Sequence, residues 1–440
     1  MLGAIIGDIV GSTRERHNIK TENFELVPEG SRFTDDTVMT LAVAKWLMDD
    51  PEHRSDTLVA IMQDLGRKYP YAGYGGMFRK WLNSDNPQPY GSYGNGSAMR
   101  VSPVGLYANS LEEALELARI TASVTHDHPE GIKGAQAIAA CVYLKKNERW
   151  GVKDKIKRYV EENFGYNLGI KLEDIRNDYD FDVTCQGSVP IAIMAYLQRN
   201  NAVNSLRLSI SMGGDSDTIG CMATSIADAH PLCDFSRSDF PLEVVEKCRS
   251  LLTSELRDIN DRFEAFISSP LYQSYNLGCN VFAGEYPGDK YGEKAEHKLQ
   301  RMIHFGVRHF VDLTEEGEHE SYAYLLPPDC THTRFPIRDV SVPQSIDQAC
   351  DVVNKIKELS KRDDGFVYLH CWGGVGRTGI LAACYLAEEM KEPSFEIVMK
   401  NLRNCFSKMP KSSHRVTPET KDQETFIRKY IEGIEKRNMK

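Results

Sequence analysis

Cys371 and Arg377 stand in the stretch His370-Cys371-Trp372-Gly373-Gly374-Val375-Gly376-Arg377-Thr378-Gly379. An apolar run, Phe366–Leu369, precedes it, and a helical pattern follows from Ile380. A glycine-rich turn from strand to helix lets successive backbone N–H groups, here those of Gly373, Gly374, Val375 and Gly376, converge on one phosphate. The helix N-terminus and Arg377 would favour the thiolate form of Cys371, a nucleophile. Arg377 can fork onto two phosphate oxygens. Thr378 can donate a hydrogen bond to the sulfur as it leaves. A structural cysteine beside a turn accounts poorly for Trp372 and three glycines around one thiol.

Two acidic clusters lie far upstream, Phe33-Thr34-Asp35-Asp36-Thr37 and Gly213-Gly214-Asp215-Ser216-Asp217-Thr218-Ile219-Gly220. Each sets a pair of carboxylates beside hydroxyls at a loop-to-helix junction. Hard oxygen ligands of this kind suit Mg²⁺ or Mn²⁺ rather than zinc. Two such clusters can close on a pair of ions. Taken singly, each has an ordinary explanation, since Thr34 or Asp215 could simply cap a helix.

The cysteine segment resembles the cysteine-dependent protein tyrosine and dual-specificity phosphatases, whose signature is His-Cys, five residues, then Arg-Ser/Thr. The resemblance covers 278–440 and implies Cys371 as nucleophile, Arg377 as phosphate clamp and His370 as the residue that orients the loop. It also implies a general acid on a separate loop. Phe335-Pro336-Ile337-Arg338-Asp339-Val340-Ser341-Val342-Pro343 supplies Asp339, which would protonate the leaving oxygen and later deprotonate water. The bland alternative for Asp339 is a cap on the following helix. Members of this superfamily that act on polyphosphorylated lipids or RNA 5′-triphosphates commonly carry lysines inside the loop. Residues 372–375 carry none, which favours a phosphomonoester on a protein side chain or a small molecule.

The acidic clusters belong to a second resemblance, to the ADP-ribosylglycohydrolase family that includes the dinitrogenase reductase-activating glycohydrolase. Five ordered segments carry it: Gly7-Asp8-Ile9-Val10-Gly11-Ser12 with Glu15, then FTDDT, then Tyr93-Gly94-Asn95-Gly96-Ser97-Ala98-Met99-Arg100, then Thr125-His126, and last GGDSDTIG. The resemblance implies a two-metal centre holding two Mg²⁺ or Mn²⁺ ions on Thr34, Asp35, Asp36, Asp215, Asp217 and Thr218. It implies Glu15 as a carboxylate assisting the leaving group or water. Gly75, Gly76 and Met77 would reach a diphosphate, Ser92, Tyr93 and Asn95 would form a second binding loop, and His126 would contact the distal part of ADP-ribose. His126 could equally be a packed or capping histidine. Asp8 reads as structural, holding the first helix against loops.

The elements that must position these residues change character near residue 270. LAVAKWLMDD (41–50), LEEALELARI (111–120), GIKGAQAIAACVYLKK (131–146), SVPIAIMAYLQR (188–199) and a stretch around 243–267 show helical spacing. Beyond it, strands at 280–284, 307–313, 334–340 and 366–370 alternate with helices at 294–305, 344–361 and 378–391. The expected organisation is an all-α domain over 1–270 and an α/β domain with a central, mostly parallel sheet over 278–440. Residues 270–278 read as a linker.

Length supports that division, since 440 residues exceed one ordinary domain. Residues 1–270 carry −9 of the formal net charge of −10, which argues against bulk nucleic-acid binding. The 11 scattered cysteines include no Cys-x-x-Cys pair and point to a reducing, cytoplasmic setting. The apolar N-terminus lacks a basic flank, which disfavours a signal peptide, and no stretch has the length of a membrane span. The expected function is a bifunctional hydrolase. One half releases ADP-ribose from a modified protein or other acceptor, and the other removes phosphate from a protein or small molecule. The alternatives are a reader that binds without turnover and two-step processing of one phosphorylated ADP-ribose-type or nucleic-acid-linked substrate.

Overall fold

The structure, a computed structural model, describes residues 1–147, 151–229, 239–271, 273–278, 280–290, 294–362 and 364–438, with backbone alone for 435–438. It divides into two compact units, Met1–Glu264 and Ala265–Lys440.

The first unit is helical, and its centre is a pair of helices from opposite ends of its sequence. Helix α1 (Leu2–Gly11) is apolar on nearly every side, and Gly3 through Gly11 are buried. A helix of that composition has no face to offer solvent. Helix α2 (Asp35–Asp49) begins at the first acidic cluster. Helix α3 (Ser216–Ala227) begins at the second and is buried throughout. Gly3, Gly7 and Gly11 recur every fourth residue of α1, so they share one face. A Cβ on Gly3 would fall 2.5 Å from the Thr224 carbonyl oxygen, on Gly7 2.4 Å from that of Gly220, and on Gly11 2.3 Å from Asp217 Cα. The backbones of α1 and α3 therefore touch, and Asp8 and Asp217 come together because of it.

The helical stretches at 111–120, 131–146 and 188–199 belong to Leu111–Ser123, Pro129–Asn147 and Cys185–Leu197. The single helix expected around 243–267 divides into two, Leu242–Leu251 and Ser254–Ser268. Leu252 turns extended between them, and the Thr253 hydroxyl oxygen accepts the Leu256 N–H (3.3 Å) to start the second.

The second unit holds a five-stranded sheet in the order β1-β2-β5-β3-β4. The strands are β1 (Ser274–Gly278), β2 (Val281–Gly284), β3 (Val307–Asp312), β4 (Thr331–Arg334) and β5 (Phe366–His370). All neighbours run parallel except the β1–β2 hairpin. Helices cover both faces, and the strands alternate accordingly. Val281, Ala283, Val311, Val367 and Leu369 join the core beneath Ile346–Ser360, α4 (Gly376–Glu388), Phe395–Phe406 and Lys421–Asn438. Phe282, Phe310 and Tyr368 pack towards Ala295–Phe305 on the other face.

Two expectations change here. The segment read as a linker contains β1, with Tyr275 paired to Ala283; Tyr272 lies outside the described residues. The strand expected at 334–340 ends at Arg334. Phe335 and Ile337 still donate to the carbonyls of Asp312 (2.8 Å) and Leu313 (3.1 Å). Pro336 between them offers no N–H, and Val340 turns the chain away at φ 56°.

Replacing Gly7 by valine should force α1 off α3. Urea unfolding is expected to show a loss of about 1–3 kcal/mol or more, the range for over-packed cores; an unchanged midpoint would contradict the backbone contact.

Candidate active sites

In the first unit the α1–α3 contact and the start of α2 gather five carboxylates. Asp8 holds the turn that opens α2: its Oδ2 accepts the N–H groups of Thr34 (2.9 Å) and Thr37 (3.0 Å), its Oδ1 accepts the Thr34 hydroxyl (2.6 Å), and the Thr37 hydroxyl also donates to Oδ2. Asp8, Asp36 and Asp217 each present an oxygen within 4.8 Å of the others. Asp8 thus stands among the candidate ligands as well as in the structural role read from sequence. Thr218 donates to Asp36 Oδ2 (3.2 Å), and Thr34 Oγ1 lies at the same distance from that oxygen. Asp36 Oδ1 is buried without a hydrogen-bond partner among the described residues.

Asp35 and Asp215 approach the same centre. Burial first, then repulsion from Asp8, Asp215 and Glu15, pushes Asp35 up to about 8. Burial and then neighbouring aspartates push Asp36 and Asp217 well above the carboxylate range. Burial also raises Asp215, against hydrogen bonds led by Asn95. A cluster that resists ionising in isolation, with a bare oxygen inside it, fits divalent cations.

The surrounding loops hold the other expected residues. Glu15 is half-buried, and burial followed by Asp215 raises its pKa. The Asn95 amide donates to Asp215 Oδ2 (2.7 Å), which ties a residue expected to touch substrate directly to a candidate ligand. Ser92 Oγ accepts the Gly94 N–H (3.2 Å), and Tyr93 is exposed. The Asp35 N–H donates to the Ala72 carbonyl (2.8 Å), so the loop leading to Gly75, Gly76 and Met77 docks beside that aspartate. Gly75 and Gly76 border open space, and Met77 is exposed. His126 is buried, and desolvation holds it neutral. Arg100 donates to Thr125 Oγ1, and that hydroxyl pairs with His126 Nδ1 (2.7 Å). Its Nε2 faces Gly96.

Asn18 is absent from the sequence reading. Its amide donates to the carbonyls of Arg14 (2.8 Å), Glu15 (2.9 Å) and Gly214 (3.1 Å), and its Oδ1 accepts the Gly214 N–H (2.6 Å). It links the Glu15 turn to the turn before Asp215. Gly213 and Gly214 both have φ near +70° there; the paired glycines were the visible trace of that turn.

In the second unit Cys371 follows β5 directly and is buried. Gly374 has φ 72°, and a Cβ there would fall 2.4 Å from the Gly284 carbonyl carbon, so the loop crosses the end of β2 at backbone contact. Gly376 opens α4, and the Thr417 hydroxyl donates to the Val375 carbonyl (2.8 Å). Arg377 forks onto Glu318 (2.7 and 2.6 Å), donates to the Ile337 carbonyl (3.0 Å) and lies 2.9 Å from Asp339 Oδ1. Arg377 Nε and Thr378 Oγ1 are buried with no hydrogen-bond partner among the described residues. Such orphans suit an arriving oxyanion and a departing sulfur. Asp339 is 65% exposed at its side chain, and the left-handed φ of the β-branched Val340 marks strain beside it. His370 Nε2 pairs with the Tyr322 hydroxyl (2.6 Å), and burial, against the pull of Asp312, pushes it down to about 4. Glu318 escaped the sequence reading because an acid in a charged loop looks solvated.

The family model described as ADP-ribosylglycohydrolase matches residues 1–264. The one described as a Swiss Army Knife protein, DSP-PTPase phosphatase domain, matches 291–427. ADP-ribosylhydrolase ARH3 of Mus musculus is 28% identical over 307 residues, covering 52% of this chain and 82% of that protein. The putative tyrosine phosphatase 197R of Invertebrate iridescent virus 6 is 31% identical over 149 residues, covering 33% of this chain and 51% of that protein. Among solved structures, an ADP-ribosylglycohydrolase-related protein complex aligns at TM-score 0.43 and 19% identity, over 61% of this chain and 97% of that one.

The carboxylate cluster yields a pH prediction. Groups whose pKa rises on folding bind protons more tightly in the folded state, so stability falls as pH rises. With chelator present, the melting midpoint of the first unit should drop between about pH 5 and the Asp35 value of about 8. Divalent cations should abolish the drop. A chelated protein whose midpoint is flat across that range would refute the mutual repulsion.

Proposed function

The chain belongs to the ADP-ribosylglycohydrolase family, and on that premise we propose that it is a bifunctional hydrolase of the cytoplasm. Its first unit releases ADP-ribose from a modified protein or other acceptor. Its second, a DSP-PTPase phosphatase domain, hydrolyses phosphomonoesters on proteins or small molecules.

For the first reaction the carrying observation is the buried carboxylate cluster with its unpartnered Asp36 oxygen. Thr34, Asp35, Asp36, Asp215, Asp217 and Thr218 would hold two ions, Mg²⁺ or Mn²⁺, and Asp8 would stiffen that shell or join it. Bound there, the ions supply Lewis acidity towards the ribose hydroxyls and offset the crowding of negative charge. Asn95 orients Asp215. Glu15, with its raised pKa, holds or moves the proton at the acceptor atom or the attacking water. His126 contacts the distal part of ADP-ribose through Nε2. Gly75, Gly76 and Met77 border the diphosphate, with Ser92 and Tyr93 along the second loop.

For the second reaction the carrying observation is the pair of unpartnered polar atoms, Arg377 Nε and Thr378 Oγ1, beside Cys371. The thiolate attacks phosphorus while Asp339 protonates the leaving oxygen. The N–H groups of Gly373, Gly374, Val375 and Gly376 and the Arg377 fork hold the phosphoryl oxygens. Water then attacks the phosphocysteine, Asp339 takes its proton, and Thr378 donates to the departing sulfur. Glu318 stays on the guanidinium throughout, whereas the Asp339 contact to Arg377 gives way to the phosphate.

Two variants separate the halves. Asp217→Asn should lower ADP-ribose release by about 100-fold or more without altering hydrolysis of para-nitrophenyl phosphate. Cys371→Ser should abolish that hydrolysis and spare ADP-ribose release. Asp339→Asn should cut the phosphatase kcat by about 100-fold or more. Full phosphatase activity in Cys371→Ser would end the cysteine mechanism, and wild-type ADP-ribose release in Asp217→Asn would end the first assignment.

A further inference from the structure

Two lysines behind the phosphate loop have no part in the reaction above. Lys411 lies in the short helix Pro410–Ser413. Its Nζ donates to the Gly373 carbonyl (3.2 Å) and to Glu285 Oε2 (2.8 Å). Lys290 is buried, and its Nζ donates to the Trp372 carbonyl (2.7 Å) and to the same Glu285 oxygen (3.1 Å). The Tyr286 N–H also donates to the Trp372 carbonyl (3.2 Å). The Lys290 ammonium sits 4.5 Å from the centroid of the Trp372 ring.

The geometry bears on anion binding through the peptide plane. In a trans peptide the C=O and the following N–H point in opposite directions. Lys290, by drawing the Trp372 carbonyl back towards the end of β2, turns the Gly373 N–H the other way. Lys411, by drawing back the Gly373 carbonyl, does the same for the Gly374 N–H. Two of the loop's N–H donors are therefore aimed from behind. Charge follows the same arrangement: two ammonium groups share one carboxylate, and residues 372–376 carry no charged side chain. Burial disfavours a lone ammonium, yet both are kept on the loop carbonyls.

We propose that Lys290 and Lys411 are positioning residues of the phosphate loop. They fix the 372–373 and 373–374 peptide planes with N–H groups towards the bound oxyanion, and they supply the positive charge that the loop's own side chains lack. The proposal rests on the phosphatase reading of this unit, so its test reads binding apart from turnover. Calorimetry on the full chain with inorganic phosphate, counting only the binding that Arg377→Met removes, should show about tenfold weaker affinity in Lys411→Met. Lys411→Arg should recover most of it. With para-nitrophenyl phosphate, Lys411→Met should raise KM more than it lowers kcat. A lysine that merely pins Pro410–Ser413 would shift the melting midpoint and leave phosphate affinity alone. Unchanged affinity in a folded Lys411→Met would overturn the proposal. Lys290→Met, at a more buried position, serves as the second variant and should weaken phosphate in the same way. Absence of Cys371-dependent turnover in the wild type would sink the phosphatase reading, and the binding comparison would still decide the lysines.

Discussion

Mutual repulsion among buried carboxylates is the constraint around which the first unit is arranged. Asp8, Asp35, Asp36, Asp215 and Asp217 come from three helix starts or interiors, and burial raises each of them. Apolar packing alone would not assemble such a set, because desolvating like charges is costly. The scaffold makes it tolerable in two ways. Hydroxyls and backbone N–H groups absorb part of the charge, as on Asp8. A backbone-to-backbone helix contact leaves the acids no room to separate. Thr34, Thr37, Thr218 and Asn95 serve this centre first.

The second unit solves the opposite problem, gathering positive potential where a loop has little charge of its own. Arg377 stands at the end of the loop, and Glu318 holds its guanidinium in a fork. Beyond it stand the Lys290 and Lys411 ammonium groups on the Trp372 and Gly373 carbonyls, with the loop backbone held against the end of β2 at Gly374. Both faces of the sheet are apolar and covered, so the polar ends of β2, β3 and β5 are where chemistry can collect. The Asp312, His370 and Tyr322 side chains lie along that edge.

Much of this was legible in the sequence, and for specific reasons. FTDDT, GGDSDTIG and the cysteine loop are compact, because neighbouring residues act on one ligand. The helical and alternating patterns marked the two textures because each arises from burial on a regular element. What escaped were contacts between distant, ordinary-looking residues. Asn18, Glu318, Lys290 and Lys411 belong to no motif, and only the fold sets the lysines on loop carbonyls and Glu318 on Arg377. Asp8 reads as structural, yet it stands within 4.8 Å of Asp36 and Asp217 oxygens. β1 reads as a linker because a short edge strand has weak periodicity. The 334–340 run lost its strand to Pro336 and to the turn at Val340.

The α1–α3 contact has a consequence for how the chain is made. Thr224 Oγ1 donates to the Gly3 carbonyl across 221 positions. During synthesis α1, among the most apolar segments of the chain, leaves the ribosome long before the helix whose groove it fills. Contacts that close so long a loop form late. A nascent chain of this protein therefore carries that apolar helix without its partner through most of the first unit's translation, the situation in which exposed apolar surface favours misassembly.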